Sequence, residues 1–146
     1  MSQLLIIGVL AGEKIALRAD DVQSVIELEM LTPAPCTPPH VAGLSALRSR
    51  VLTVIDGQCA LGLGQASNRE AGAPAAVIVH DGHAYALLLD SIRGVVQARS
   101  DPQPARTRLG ADWAGMSHDV VETDEGPVLL ADVAALIGGP PGARAA

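Results

Sequence analysis

An internal repeat constrains this sequence more than any other feature. Displacing the chain by 70 residues superposes Val9, Gly12, Ala16, Leu17, Asp20 and Val25 on Val79, Gly82, Ala86, Leu87, Asp90 and Val95. Val22 and Ile26 then fall on Ile92 and Val96, which are conservative matches. A displacement of 76 sets Leu52-Thr53-Val54-Ile55-Asp56 against Val128-Leu129-Leu130-Ala131-Asp132, and Gly62 against Gly138. Self-similarity of this kind implies two copies of one supersecondary unit whose joint packing makes the core.

Each copy reads as hairpin, bend, strand, long connection, strand and capped turn. Leu4 to Leu10 is an aliphatic strand, Ala11 to Lys14 a turn, and Ile15 to Leu17 the return strand. Asp20-Asp21 caps a single helical turn before Val22 to Leu28. Four prolines between Thr32 and Pro39 exclude a ladder or a helix, so that stretch is an extended connector. Val51 to Ile55 is a strand, and Asp56 caps a short helix ending near Gly62. In the second copy, Ala76 to His80 and His83 to Leu89 flank Asp81-Gly82, a strong two-residue hairpin signal. Val128 to Ala131 and a helix from Asp132 to Ile137 close the unit. Gly64 to Pro74 and Ser100 to Ser117 read as loops, and residues 139–146 as a flexible tail.

Composition narrows the function. Trp113 and Tyr85 are the only aromatics, so the core must be built from Val, Leu, Ile and Ala. The formal charge is −6, from 16 acidic residues against 10 Lys plus Arg. An acidic chain with two aromatics lacks the cationic, base-stacking surface that nucleic-acid binding needs. The apolar run Leu4 to Ala11 has no basic residues before it and falls far short of the ~20 residues that span a bilayer. With only Cys36 and Cys59, a disulfide framework is excluded, and a reduced cytoplasmic setting is expected. No membrane insertion, small-molecule substrate or cofactor is expected either.

The stretch Val41-Ala42-Gly43-Leu44-Ser45-Ala46-Leu47-Arg48, followed by Val51-Leu52-Thr53-Val54-Ile55-Asp56, resembles the CheW-like domain, the adaptor of bacterial chemotaxis arrays. That family carries V-x-G-L-x-N-L-R-G-x-hydrophobic-hydrophobic-P-V-hydrophobic-D-hydrophobic. The opening hairpin, Val22-Gln23-Ser24-Val25-Ile26-Glu27-Leu28, the Pro-rich connector, and Leu88-Leu89-Asp90 before Val95-Val96 match further family features. The resemblance spans about residues 3–138. It implies an all-β fold with short helices: two intertwined five-stranded SH3-like barrels in one domain over residues 1–138.

The resemblance also implies a non-enzymatic adaptor. Its partners would be the regulatory domain of a CheA-like histidine kinase and the cytoplasmic tip of a methyl-accepting chemoreceptor. Glu27 and Arg48 occupy the family's characteristic acidic and basic positions, implying an ion pair or a pair of polar contacts at the binding surface. Val22, Val25, Leu47 and Val95 would line the hydrophobic groove, with core packing as their alternative. Four residues depart from the pattern: Ala46 for Asn, Ser49 for Gly, Thr53 for Pro, and Gly57 for a hydrophobic residue. If the family Gly has φ > 0, Ser49 costs roughly 1 kcal/mol or more there. Of these departures, Ser49 and Gly57 leave open a CheW-like regulator or competitor in a non-flagellar chemosensory pathway.

Other constellations point elsewhere. His80 and His83 face one another across a hairpin, where with Asp81 they could hold a metal in a small metal-binding protein or enzyme. Cys36 and His40 have no second ligand pair at zinc-site spacing. Gly43-Leu44-Ser45-Ala46-Leu47 lacks the second glycine of a nucleophile elbow and precedes a strand rather than a helix. Asp56, Asp90 and Asp132 recur at matching places in the two copies, as turn and cap residues would.

Overall fold

The computed structural model describes residues 4–33, 37–60, 66, 69–99, 103–104, 119–124 and 126–138. Cys36, Gly62, Trp113, His118, residues 64, 65, 67 and 68 of the first expected loop, most of the second and the residues from 139 lie outside them. The chain runs β1 (Leu4–Leu10), β2 (Glu13–Arg18), a 3-10 turn (Ala19–Asp21), β3 (Val22–Glu27), β4 (Val41–Leu47), β5 (Arg50–Asp56) and α1 (Gly57–Ala60). The second copy runs β6 (Pro74–His80), β7 (His83–Leu88), β8 (Ser91–Gln97), β9 (Gln103–Pro104), β10 (Asp119–Thr123), β11 (Gly126–Leu130) and α2 (Val133–Gly138).

The repeat of the sequence is a repeat of structure. β1 and β2 lie 70 residues before β6 and β7, and Leu52 to Asp56 of β5 corresponds to Val128 through Asp132 around β11. Even the isolated bridge of Thr32 to Leu44 has its counterpart in Gln103 paired with Val120. The copies exchange strands. One sheet has the order β8-β1-β2-β11-β10, extended by the two-residue β9; the other has the order β3-β6-β7-β5-β4. Each five-stranded barrel therefore takes two strands from one copy and three from the other, an intertwined pair that neither copy can form alone.

Exchange explains the aliphatic runs. Along β1, Leu5 and Ile7 enter the interior of their own barrel, whereas Ile6 and Leu10 enter a central cluster drawn from both sheets. Along β7, Ala86 and Leu88 fill the second barrel, and Leu87 and Leu89 face the central cluster. Strands buried on both faces read as continuous apolar runs rather than alternations. By contrast, β3 and β8 are the outermost strands on one side of each sheet and alternate half-buried with exposed residues. The helix α2 places Leu136 in the central cluster, and His40 Nε2 lies 2.9 Å from the Ile137 carbonyl oxygen.

Three hairpins close through two-residue turns with both central residues at positive φ, as type I′ turns require. They are Ala11-Gly12 (52° and 81°), Asp81-Gly82 (51° and 80°) and Arg48-Ser49 (50° and 70°). Asp81-Gly82 is the hairpin expected from sequence. Arg48-Ser49 is the strained one, since neither residue is Gly, Asn or Asp. Holding a non-glycine residue in this region costs about 1–2 kcal/mol.

Candidate protein-binding surface

The surface is built where an outermost strand meets a hairpin tip. Gln23, Val25 and Glu27 point outward from β3, while Ser24 and Ile26 are half-buried. The register of β4 with β5 puts Leu47 opposite Arg50 and leaves Arg48 and Ser49 at the tip. Between strand and tip lies an open depression of about 480 Å³, lined by Gln23, Ser24, Val25, Ile26, Leu47, Arg48 and Arg50. Ile26 and Leu47 also pack on the barrel core, so the depression has an apolar floor. Arg50 Nη1 donates to Gln23 Oε1 at 3.2 Å, bridging the two walls. Among the described residues, no acidic side chain lines the depression.

Three of the six expected binding residues, Val25, Leu47 and Arg48, meet here. Val25 is 44% exposed despite being aliphatic. Glu27 is exposed one residue beyond the lining segment, in register with Pro74. The expected Arg48–Glu27 ion pair does not form: among the described residues, neither side chain has an ion-pair or hydrogen-bond partner. Arg48 instead stands across from Gln23 to Ile26. Val22 packs on the central cluster, because alternation along β3 turns it to the half-buried side. Val95, at 63% exposure, occupies the place of Val25 in the other sheet and lines a different part of the surface. Sequence reasoning missed Gln23 and Arg50, and missed Val51, which is 64% exposed on the same hairpin. The signal for Arg50 was present: it is a second arginine two positions after Arg48.

The motif glycine and two of the departures acquire reasons. Gly43 has φ +152°, and a Cβ there would overlap the Thr32 carbonyl oxygen and lie 2.9 Å from its carbon. Only glycine lets the connector approach closely enough for the two bonds between Thr32 and Leu44, at 2.8 and 2.9 Å. At Gly57, a Cβ would meet Leu10 Cδ1 at 2.9 Å and Leu87 Cδ1 at 3.2 Å. Leu10 and Leu87 already fill the space a larger residue would claim. Ser49 does sit at positive φ, so the strain anticipated for it is real.

The recurring aspartates hold the frame. Asp132 Oδ1 accepts Ala135 N–H at the start of α2, and Asp90 Oδ2 accepts Gly12 N–H from the first turn. Asp56, fully buried, accepts Cys59 N–H at 3.1 Å, Ala66 N–H at 2.8 Å and Arg69 Nε–H at 2.7 Å. Burial pushes the Cys59 thiol above its ordinary value; the Asp56 carboxylate adds to this and Arg69 opposes it. His80 and His83 do face each other across their hairpin, and His80 Nε2 lies 3.5 Å from Asp81 Oδ2. Among the described residues, no group of three or more His, Cys, Asp or Glu side chains is arranged to hold a metal. Ser45 is buried in mid-strand, with no helix following it, so the elbow geometry of a serine nucleophile is not present.

A family model described as the CheW-like domain matches residues 5–139. The chain belongs to the CheW-like domain family. Among solved structures, it resembles the scaffolding protein TtCheW from Thermoanaerobacter tengcongensis at a TM-score of 0.76 and 22% identity, covering 90% of each chain. That likeness gives the CheW-like fold, two intertwined SH3-like barrels, matching the strand exchange described above. No curated protein sequence matches the chain. The family match supports a chemotaxis adaptor role. Among the described residues, no helix is long and apolar enough to cross a membrane.

Proposed function

We propose that this protein is a cytoplasmic adaptor coupling the tips of methyl-accepting chemoreceptors to the regulatory domain of a CheA-like histidine kinase. The observation that carries the reading is the convergence of Val25, Leu47 and Arg48, three residues of the family pattern, on one open depression with an apolar floor. An exposed aliphatic side chain beside an arginine that has no acidic partner among the described residues is the composition of a protein-docking spot. Glu27 flanks this spot on the same strand, and Val95 supplies an exposed apolar point on the other barrel. Leu47 contributes to the floor. Val22 supports β3 from the core side, so its contribution to binding is through the strand's position. We take residues 1–138 as the adaptor domain, with residues 139–146 as a tail.

Bridging is the test. Receptor-tip fragments assembled on vesicles would be sedimented with the kinase, with and without this protein. The adaptor reading expects the kinase to pellet only when the protein is present. Kinase recovery that is indifferent to the protein would overturn it. Exclusion of a standard adaptor from the same pellets would instead favour a competitor, the role that the Ser49 and Gly57 departures left open.

A further inference from the structure

Arg50 is the feature of the depression that the family pattern does not supply. It stands at a variable position of the motif, two residues after the motif arginine, and puts a second guanidinium on the same hairpin flank. The chain as a whole carries −6, yet among the described residues no acidic side chain lines this depression. Among the described residues, the hydrogen bond to Gln23 Oε1 is the only one the Arg50 side chain makes. A guanidinium has five N–H donors, so most of its capacity is unused. Gln23 is a neutral acceptor: it orients Arg50 over the opening without cancelling its charge.

We infer that Arg50, oriented by Gln23, is a specificity determinant of this surface, and that with Arg48 it selects an acidic segment on the kinase regulatory domain. The segment would present a carboxylate to each arginine, or one carboxylate held bidentately, beside an aliphatic side chain for the Ile26–Leu47 floor. The inference deepens the adaptor reading and rests on it. The depression lies between the outermost strand β3 and the tip of the β4–β5 hairpin, and two guanidiniums with no acidic lining residue among the described ones complement an acidic partner. The position equivalent to Arg48 in the second copy is Asp124, which pairs with Arg99, so the two copies differ in charge at this place. Paired arginines and carboxylates across an interface set partner choice and encounter rate more than total affinity.

Calorimetric titration of the full chain with the kinase regulatory domain tests the inference. Gln23→Glu is the decisive variant: nearly isosteric, it places a carboxylate against Arg50 and cancels its charge internally. We expect Gln23→Glu and Arg50→Ala each to raise Kd about 3–10-fold, and Arg50→Glu more than 10-fold. Their melting temperatures should stay within a few degrees of the parent. Raising salt from 50 to 300 mM should weaken the parent severalfold and the Arg48→Ala/Arg50→Ala variant much less. If the parent binds and neither Gln23→Glu nor Arg50→Glu changes Kd, this inference fails while the adaptor reading stands. If the parent binds no kinase domain, the adaptor reading itself fails. Two further results would also overturn the assignment of the acidic segment to the kinase: loss confined to receptor-tip binding, or self-association abolished by Arg50→Glu.

Discussion

Replacing Arg69 by Met should unfasten the most heavily bonded side-chain cluster in the described structure. Arg69 donates from Nε to Asp56 at 2.7 Å and from Nη2 to the Pro39 carbonyl at 2.7 Å. It thereby ties the lead-in to β6 to the end of β5 and to the Pro-rich connector. The Asp56 side chain is fully buried, whereas that of Arg69 is 19% exposed. Removing one partner of a buried pair typically costs 3–5 kcal/mol, because the other charge is left in an apolar interior. Here the backbone N–H groups of Cys59 and Ala66 still hold the carboxylate, which puts the expected loss at the low end, about 3 kcal/mol. For a chain of this size that lowers the melting temperature by about 6–12 °C. A double-mutant cycle with Asp56→Asn isolates the pair, with an expected coupling of about 1–3 kcal/mol. Calorimetric melts of the four proteins would read both numbers. A loss below 1 kcal/mol for Arg69→Met, or strict additivity with Asp56→Asn, would refute the reasoning.

The remaining predictions concern turns, close approach and the thiol. Gly43→Ala should destabilise by about 2–3 kcal/mol in urea titration, because it forces the Thr32–Leu44 bridge apart and strains φ; a loss under 1 kcal/mol would contradict this. Ser49→Gly should stabilise by about 1 kcal/mol by relieving the left-handed residue, without weakening partner binding, and a neutral or negative change would count against strain there. In a Cys36→Ser background, labelling of Cys59 at pH 8 should run slower than that of a small free thiol. The sign follows from the raised thiol: its stabilising contribution is complete below the unfolded thiol's value near 9 and is lost as pH rises above it. Labelling as fast as the free thiol would show that burial does not hold.

Much of the fold was legible because the repeat and the aliphatic runs are both products of strand exchange. Residues buried on two faces leave continuous apolar segments, so β1, β6 and β7 could be read directly. β10 was missed: Asp119-Val120-Val121-Glu122-Thr123 is short, carries two acids and keeps only Val121 and Thr123 buried. It is a strand because β11 pairs along its whole length, a tertiary cause with little local signature. In the candidate site, Val25, Leu47 and Arg48 were found because the family pattern marks them. The ion pair expected between Arg48 and Glu27 does not form, since register rather than sequence spacing decides that Arg48 faces Gln23 to Ile26. Arg50 became visible only when the hairpin placed it against Gln23. The buried role of Asp56 was half legible: its cap was expected, but its partner Arg69 comes from a loop with no periodic signal.

The most direct measurement of the coupling role is calorimetric titration of the protein with the regulatory domain of each CheA-like kinase in its own genome. The adaptor reading predicts saturable one-to-one binding to one of them, weakened by about 1–3 kcal/mol in Arg48→Ala while the melting temperature is retained. Absence of binding to every such domain by a folded protein would contradict it.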